Sequence, residues 1–172
     1  STGLSKWCGA GGWRLGFFAI PHQLKNFKDS LKILCSESFT SVSAPIQYAA
    51  IEAYKGDHSE YLNAVKKILS FTADYVYKNL KSNVINITKP EGGFYLFPEF
   101  TNVKFSSSSE MCEDILNKTG VALLPGSDFG VTSNKMLARL SFTDFDGANF
   151  LNSTLGSKKL DEADLKKYAP NI

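Results

Sequence analysis

The sequence predicts an α/β chain in two parts, residues 1–56 and 57–172. Three observations predict it. Apolar runs of strand length (13–20, 84–87, 94–97, 121–124 and 136–142) alternate with segments whose apolar residues recur at helical spacing. The helical pattern over 57–81 is long for a single element, and a helix of that length usually joins two lobes. With 172 residues, 43% of them hydrophobic, the chain can bury one sizeable core or two small ones.

Taken in order, 13–20 reads as a short buried strand ended by Pro21. Leu24, Phe27, Leu31, Ile33 and Leu34, with lysines between them, mark an amphipathic helix over 22–36. Pro45 suits the first turn of the next helix, which carries Ile46, Ala49, Ala50, Ala53 and Tyr54 and stops at Gly56. Asp57 with Glu60 makes a capping box for the long helix, whose face is Tyr61, Val65, Ile68, Leu69, Thr72, Val76 and Leu80. Strands over 84–87 and 94–97 flank the turn Lys89-Pro-Glu-Gly-Gly93. A helix over 107–118 is capped by serine and ended by Gly120. Strands over 121–124 and 136–142 follow, then closing helices over 147–155 and 160–168, with a loose end from Pro170.

A net charge of +2 spread along the chain points to neither nucleic acid nor an anionic membrane. No apolar run approaches the ~18 residues of a membrane span. Cys8, Cys35 and Cys112 form no CxxC and no disulfide framework, so a reducing, cytoplasmic compartment is expected. Cys8 reads as a packed thiol. His22 and His58, the two histidines, have no second ligand at useful spacing, so no metal site is expected. The three sequons at Asn86, Asn117 and Asn152 are read as chance.

Chemistry concentrates in Gly3-Leu-Ser-Lys-Trp-Cys-Gly-Ala-Gly-Gly-Trp-Arg-Leu-Gly16. Lys6 and Arg14 stand eight positions apart among small and apolar residues, with no carboxylate beside Lys6 in the sequence. Gly9, Gly11 and Gly12 cost conformational entropy but let a backbone approach a partner closely. An amine nucleophile and a fixed guanidinium suit a cofactor carrying both an aldehyde and a phosphate. The plain alternative is a glycine loop with two solvated cations. A dinucleotide fingerprint fails, because the third glycine position after Gly9 and Gly11 is Arg14. The second candidate is Met136-Leu-Ala-Arg139-Leu-Ser-Phe142. Burying an arginine costs energy unless a partner neutralises it, and a guanidinium matches a carboxylate in a bidentate pair. On the strand alone, a carboxylate-binding Arg139 and an outward arginine on an edge strand both stand.

The segment from Gly3 to Gly16 resembles the lysine signature of class I/II aminotransferases, the fold-type I enzymes that use pyridoxal 5'-phosphate (PLP). Two further segments resemble the same family in order: Pro90-Glu-Gly-Gly-Phe-Tyr-Leu-Phe97 and Gly120-Val-Ala-Leu-Leu-Pro-Gly-Ser-Asp-Phe-Gly130. The Arg139 strand completes the set, so the resemblance runs from Gly3 to about Gly147. It implies that Lys6 is the cofactor lysine and Arg14 the phosphate clamp. It implies that Arg139 grips the substrate α-carboxylate and that Phe94 is the aromatic over the substrate. Many members have a serine at the position of Gly3, so that phosphate contact is lost or supplied by another residue.

The resemblance also implies that the aspartate, tyrosine and asparagine completing the cofactor site lie before the lysine. The chain is therefore expected to be the C-terminal part of a PLP-dependent transferase fold: a large-domain remnant joined by a long helix to an α+β small domain. Whether it is a fragment or a cleaved subunit is open at this point, and alone it should catalyse little. The implied function is amino-group transfer between an amino acid and a 2-oxo acid. Alternatives are a C–S lyase or aminocyclopropane carboxylate synthase-like enzyme, and a non-catalytic truncated paralogue. A homodimer is also implied, with Thr40, Ser41 and Ser43 of the loop Phe39-Thr-Ser-Val-Ser-Ala-Pro45 reaching the partner's cofactor pocket. The plain alternative is an interhelix loop capped by Ser43.

Overall fold

The computed structural model describes residues 1–156 and 159–172. The chain is α/β, and it divides into two compact units, Ser1–Ser59 and Glu60–Ile172.

The first unit begins with strand β1 (Thr2–Gly3), a single-turn helix α1 (Leu4–Trp7), a 3₁₀ turn (Gly11–Trp13) and strand β2 (Gly16–Phe17). The expected buried strand over 13–20 is cut down to β2, and that strand is exposed. β1 and β2 form a two-residue antiparallel pair, Thr2 opposite Phe17 and Gly3 opposite Gly16, and Phe18 is 70% exposed. An apolar run signals burial only if another element covers it, and here pairing stops after two residues.

Helix α2 (Lys25–Ser38) follows a 3₁₀ turn at His22–Leu24. It contains no buried residue, so its apolar face stands uncovered within the chain, with Ile33 67% exposed. Helix α3 (Ala44–Lys55) starts with Pro45 in its first turn and ends at Gly56, as the sequence predicts. Before it, Ser43 makes no side-chain cap.

Helix α4 (Ser59–Leu80) opens differently from the expected capping box. Asp57 Oδ1 accepts from Ser59 N at 2.9 Å and Ser59 Oγ at 2.6 Å. These bonds, led by the Ser59 hydroxyl, hold the Asp57 carboxyl below its ordinary range. Its buried residues Ala64, Ile68, Thr72, Ala73 and Val76 form one stripe at helical spacing.

β3 (Ile85–Asn86) and β4 (Tyr95–Leu96) do not form a hairpin around the glycine turn. β3 pairs with β5 (Glu99–Phe100). β4 joins β7 (Ala138–Ser141), which also pairs with β6 (Leu124–Pro125), giving an antiparallel sheet in the order β4-β7-β6. One side of this sheet packs on α4 through Val76, Leu96, Phe142, Leu140 and Phe94. Helix α5 (Ser108–Thr119) packs through Met111 and Cys112 against Ala138. Burial pushes the Cys112 thiol up, so it sits in the core as a neutral group.

The ends of α5 follow from its sequence. Ser107 Oγ accepts from Glu110 N at 3.2 Å, and Gly120 takes the left-handed conformation at φ +76° that a side chain would resist. Helices α6 (Gly147–Thr154) and α7 (Glu162–Tyr168) close the unit, each with an aspartate cap: Asp146 for α6, Asp161 with Asp164 for α7. The expected loose end is corrected here. Ala169 is 2% exposed and Ile172 packs against two core clusters, because Leu165 and Phe150 present an apolar surface that the last residues cover.

Thr72 Oγ1 is buried with no hydrogen-bond partner among the described residues. A buried hydroxyl without a partner carries its full desolvation cost, which a methyl group of similar shape avoids. Thr72→Val is therefore expected to raise stability by about 1 kcal/mol, measured by urea unfolding of the chain. A fall in the midpoint would show that the hydroxyl is satisfied.

Candidate functional site

The Lys6–Arg14 segment is closed at its base by glycine. A Cβ on Gly16 would stand 2.9 Å from Thr2 O, and one on Gly3 would stand 3.1 Å from Leu15 O. At Gly16 a side chain would force the backbone apart, whereas at Gly3 a Cβ would need Leu15 O to give by a few tenths of an ångström. Leu4 N donates to Leu15 O at 3.2 Å, and the Leu4 side chain is wholly buried. Leu4 O accepts from Ala10 N at 3.2 Å and from Cys8 Sγ at 3.0 Å. Cys8 is thus a half-buried group tied to the loop backbone.

Aromatic contacts pin the lysine turn further. The Trp7 ring lies 5.8 Å from Tyr54 and 5.7 Å from His58, and Phe17 meets Tyr54 edge-on at 5.2 Å. His58 is itself held by a 3.0 Å hydrogen bond between Nε2 and Ala53 O. The sequence reading missed these residues. The one signal for them was a tryptophan beside the lysine, which has no reason to occur in a solvated loop.

On this frame Lys6 and Arg14 are both exposed. Arg14 takes φ +51° and folds its Nη1 back onto Gly11 O at 2.8 Å. Left-handed backbone costs a residue with a Cβ roughly 1–2 kcal/mol. Thr40 also has a positive φ, +65°, which is more costly for a β-branched side chain. Such outliers persist where the surroundings impose them, and they cluster at binding and catalytic sites. Thr40, Ser41 and Ser43 are all exposed.

The loop fits the expected cofactor. A primary amine and a guanidinium lie on one short, closed loop. At Gly9 and Gly12 an added Cβ would meet no atom of the chain within 4 Å, so the space beside the loop is open to an external group.

Arg139 lies on β7, the middle strand of its sheet, which removes the edge-strand reading. Its guanidinium carbon sits 4.4 Å from the Tyr95 ring centroid and 4.6 Å from that of Phe129. Among the described residues it makes no ion pair. Phe94 is placed elsewhere: it packs against the core cluster of Ala73, Val76, Leu96 and Phe142. The Phe94 ring lies 4.5 Å from that of Tyr95, and it is the Tyr95 ring that meets Arg139. The aromatic rings that meet this arginine are thus Tyr95 and Phe129.

No helix of the described residues is long and apolar enough to cross a membrane. The family model for aminotransferase class I and II matches residues 1–149. The chain is 34% identical over 123 residues to a probable aspartate/prephenate aminotransferase of Aquifex aeolicus, covering 69% of this chain and 30% of that protein. It is 36% identical over 144 residues to a probable N-acetyl-LL-diaminopimelate aminotransferase of Bacillus subtilis, covering 82% of this chain and 34% of that protein. Among solved structures, the alanine aminotransferase from Pyrococcus furiosus superposes with a TM-score of 0.71 at 32% identity, over 87% of this chain and 36% of that one. The aromatic aminotransferase from Pyrococcus horikoshii gives 0.69 at 31% identity, over 81% and 36%. The chain thus spans about a third of the length of the relatives it matches.

Proposed function

The chain belongs to the aminotransferase class I and II family, and from that premise we propose that it supplies part of an enzyme moving an amino group between an amino acid and a 2-oxo acid. The observation that carries this reading is the closed glycine loop exposing Lys6 and Arg14 together. PLP is the cofactor that such a loop would hold, Lys6 at its aldehyde and Arg14 at its phosphate. Bound there, it would supply an electron sink for the substrate's α-carbon. Lys6 Nζ would move the proton at that carbon as general base and acid. Arg139 would hold the α-carboxylate and so fix the substrate's orientation. The relatives are named for different amino acids, which supports a shared transfer chemistry and leaves side-chain specificity to other determinants.

Titration of the complete protein with PLP tests the division of labour. Arg14→Ala is expected to weaken cofactor binding by about 10–100-fold, from the loss of a charge-assisted phosphate contact of ~1.5–3 kcal/mol. Cofactor affinity unchanged in this variant would remove Arg14 from the phosphate site.

The same reading makes the enzyme a homodimer, with the hydroxyls of Thr40, Ser41 and Ser43 reaching the partner's cofactor. The strained Thr40 and the absence of a side-chain cap from Ser43 support this over a plain interhelix loop. Sedimentation of the complete protein is expected to give a dimer. A monomer with full transaminase activity would refute the cross-subunit role.

A further inference from the structure

We propose that Tyr95 and Phe129 are positioning residues that fix the plane of the Arg139 guanidinium, so that its N–H edge is presented to a carboxylate. The inference rests on the reading of Arg139 as the carboxylate-binding residue.

Arginine has a long, mobile side chain, and a bidentate pair needs its planar fork held in one orientation. The backbone is fixed, because β7 is bonded to β4 on one side and β6 on the other. Beyond the backbone, no ion pair within the described residues orients the guanidinium. The two flanking rings, at 4.4 and 4.6 Å, are what meets it. Rings over the guanidinium attract it through their π-faces and shield it from water. The donors at its edge are left for a ligand.

Both rings are themselves held. Tyr95 stands directly opposite Ser141 in the β4–β7 register, two residues from Arg139 and on the same face. Phe129 ends the turn Gly126–Phe129, which presses on the start of β7. Gly126 N donates to Leu137 O at 2.7 Å, and a Cβ on Gly126 would stand 2.9 Å from the same oxygen. Phe97 then meets the Phe129 ring edge-on at 5.9 Å and 89°. Phe129 is 44% exposed and belongs to none of the core clusters. Within this chain its ring contacts are with Arg139 and Phe97.

The test uses Phe129→Leu and the conservative Phe129→Tyr. In the ¹⁵N-labelled chain, the Arg139 Nη resonances, assigned by their loss in Arg139→Lys, should stay separate through slow rotation about Nε–Cζ. That restriction should disappear in Phe129→Leu and return in Phe129→Tyr. In the complete, PLP-loaded enzyme, with L-alanine, L-aspartate and L-phenylalanine as amino donors, Phe129→Leu should raise KM about tenfold. Turnover should change less than KM, and Phe129→Tyr should restore both. An unchanged KM in Phe129→Leu, an Arg139 resonance indifferent to the ring, or failure of Phe129→Tyr to rescue overturns the proposal. If Arg139→Ala leaves KM unchanged while the rotational restriction in the parent chain is present, the carboxylate reading itself has failed, and the positioning role falls with it.

Discussion

Replacing Lys6 with alanine is expected to abolish covalent retention of PLP and to reduce transamination by about 10²–10⁴-fold, the usual contribution of a positioned acid–base group. Lys6 is exposed on α1, while the turn's stability comes from buried Leu4 and the Trp7 ring contacts. The substitution therefore removes an amine without opening a core cavity. Borohydride reduction of the PLP-loaded complete protein, followed by peptide mapping, reads the assignment directly. The pyridoxyl label should fall on Lys6 and vanish in Lys6→Ala. A label on another lysine, or full turnover by the alanine variant, would sink the role of Lys6.

Arg139→Ala should raise KM for the amino-acid substrate by an amount equivalent to roughly 2–5 kcal/mol, the cost of removing one partner of a desolvated charged pair. Cofactor should remain bound, because Lys6 and Arg14 are untouched. Arg139→Lys should recover little, since an ammonium neither stacks flat on rings nor makes the bidentate fork. Steady-state kinetics together with cofactor absorbance separates the two sites. Arg14→Ala loses cofactor, Arg139→Ala loses substrate affinity, and equal cofactor loss in both would show that the roles are wrongly divided.

The sequence determined what is decided within a few residues along the chain. Ser107 three positions before Glu110 and Gly120 after the last turn placed α5, because a cap bonds to its own helix terminus. Pro45 and Gly56 bounded α3 in the same way. The spacing of Lys6 and Arg14 within a glycine-rich segment marked the candidate loop, since both cations lie on one local excursion of backbone. Only the tertiary structure decided which surfaces are covered and which strands meet. The apolar residues of 13–20 and of α2 looked buried by pattern, yet Phe18 and Ile33 are exposed. The strands on either side of Lys89–Gly93 are written in the sequence, but their partners are not: β3 pairs with β5 and β4 with β7. Phe94 and Tyr95 are adjacent aromatics whose rings touch at 4.5 Å, and the fold packs the first against the core cluster while the second meets Arg139. Capping and turn chemistry are local and are written in neighbouring residues. Register, pairing and burial depend on residues far apart in the chain, where a period-two pattern fixes alternation but not which face a partner will cover.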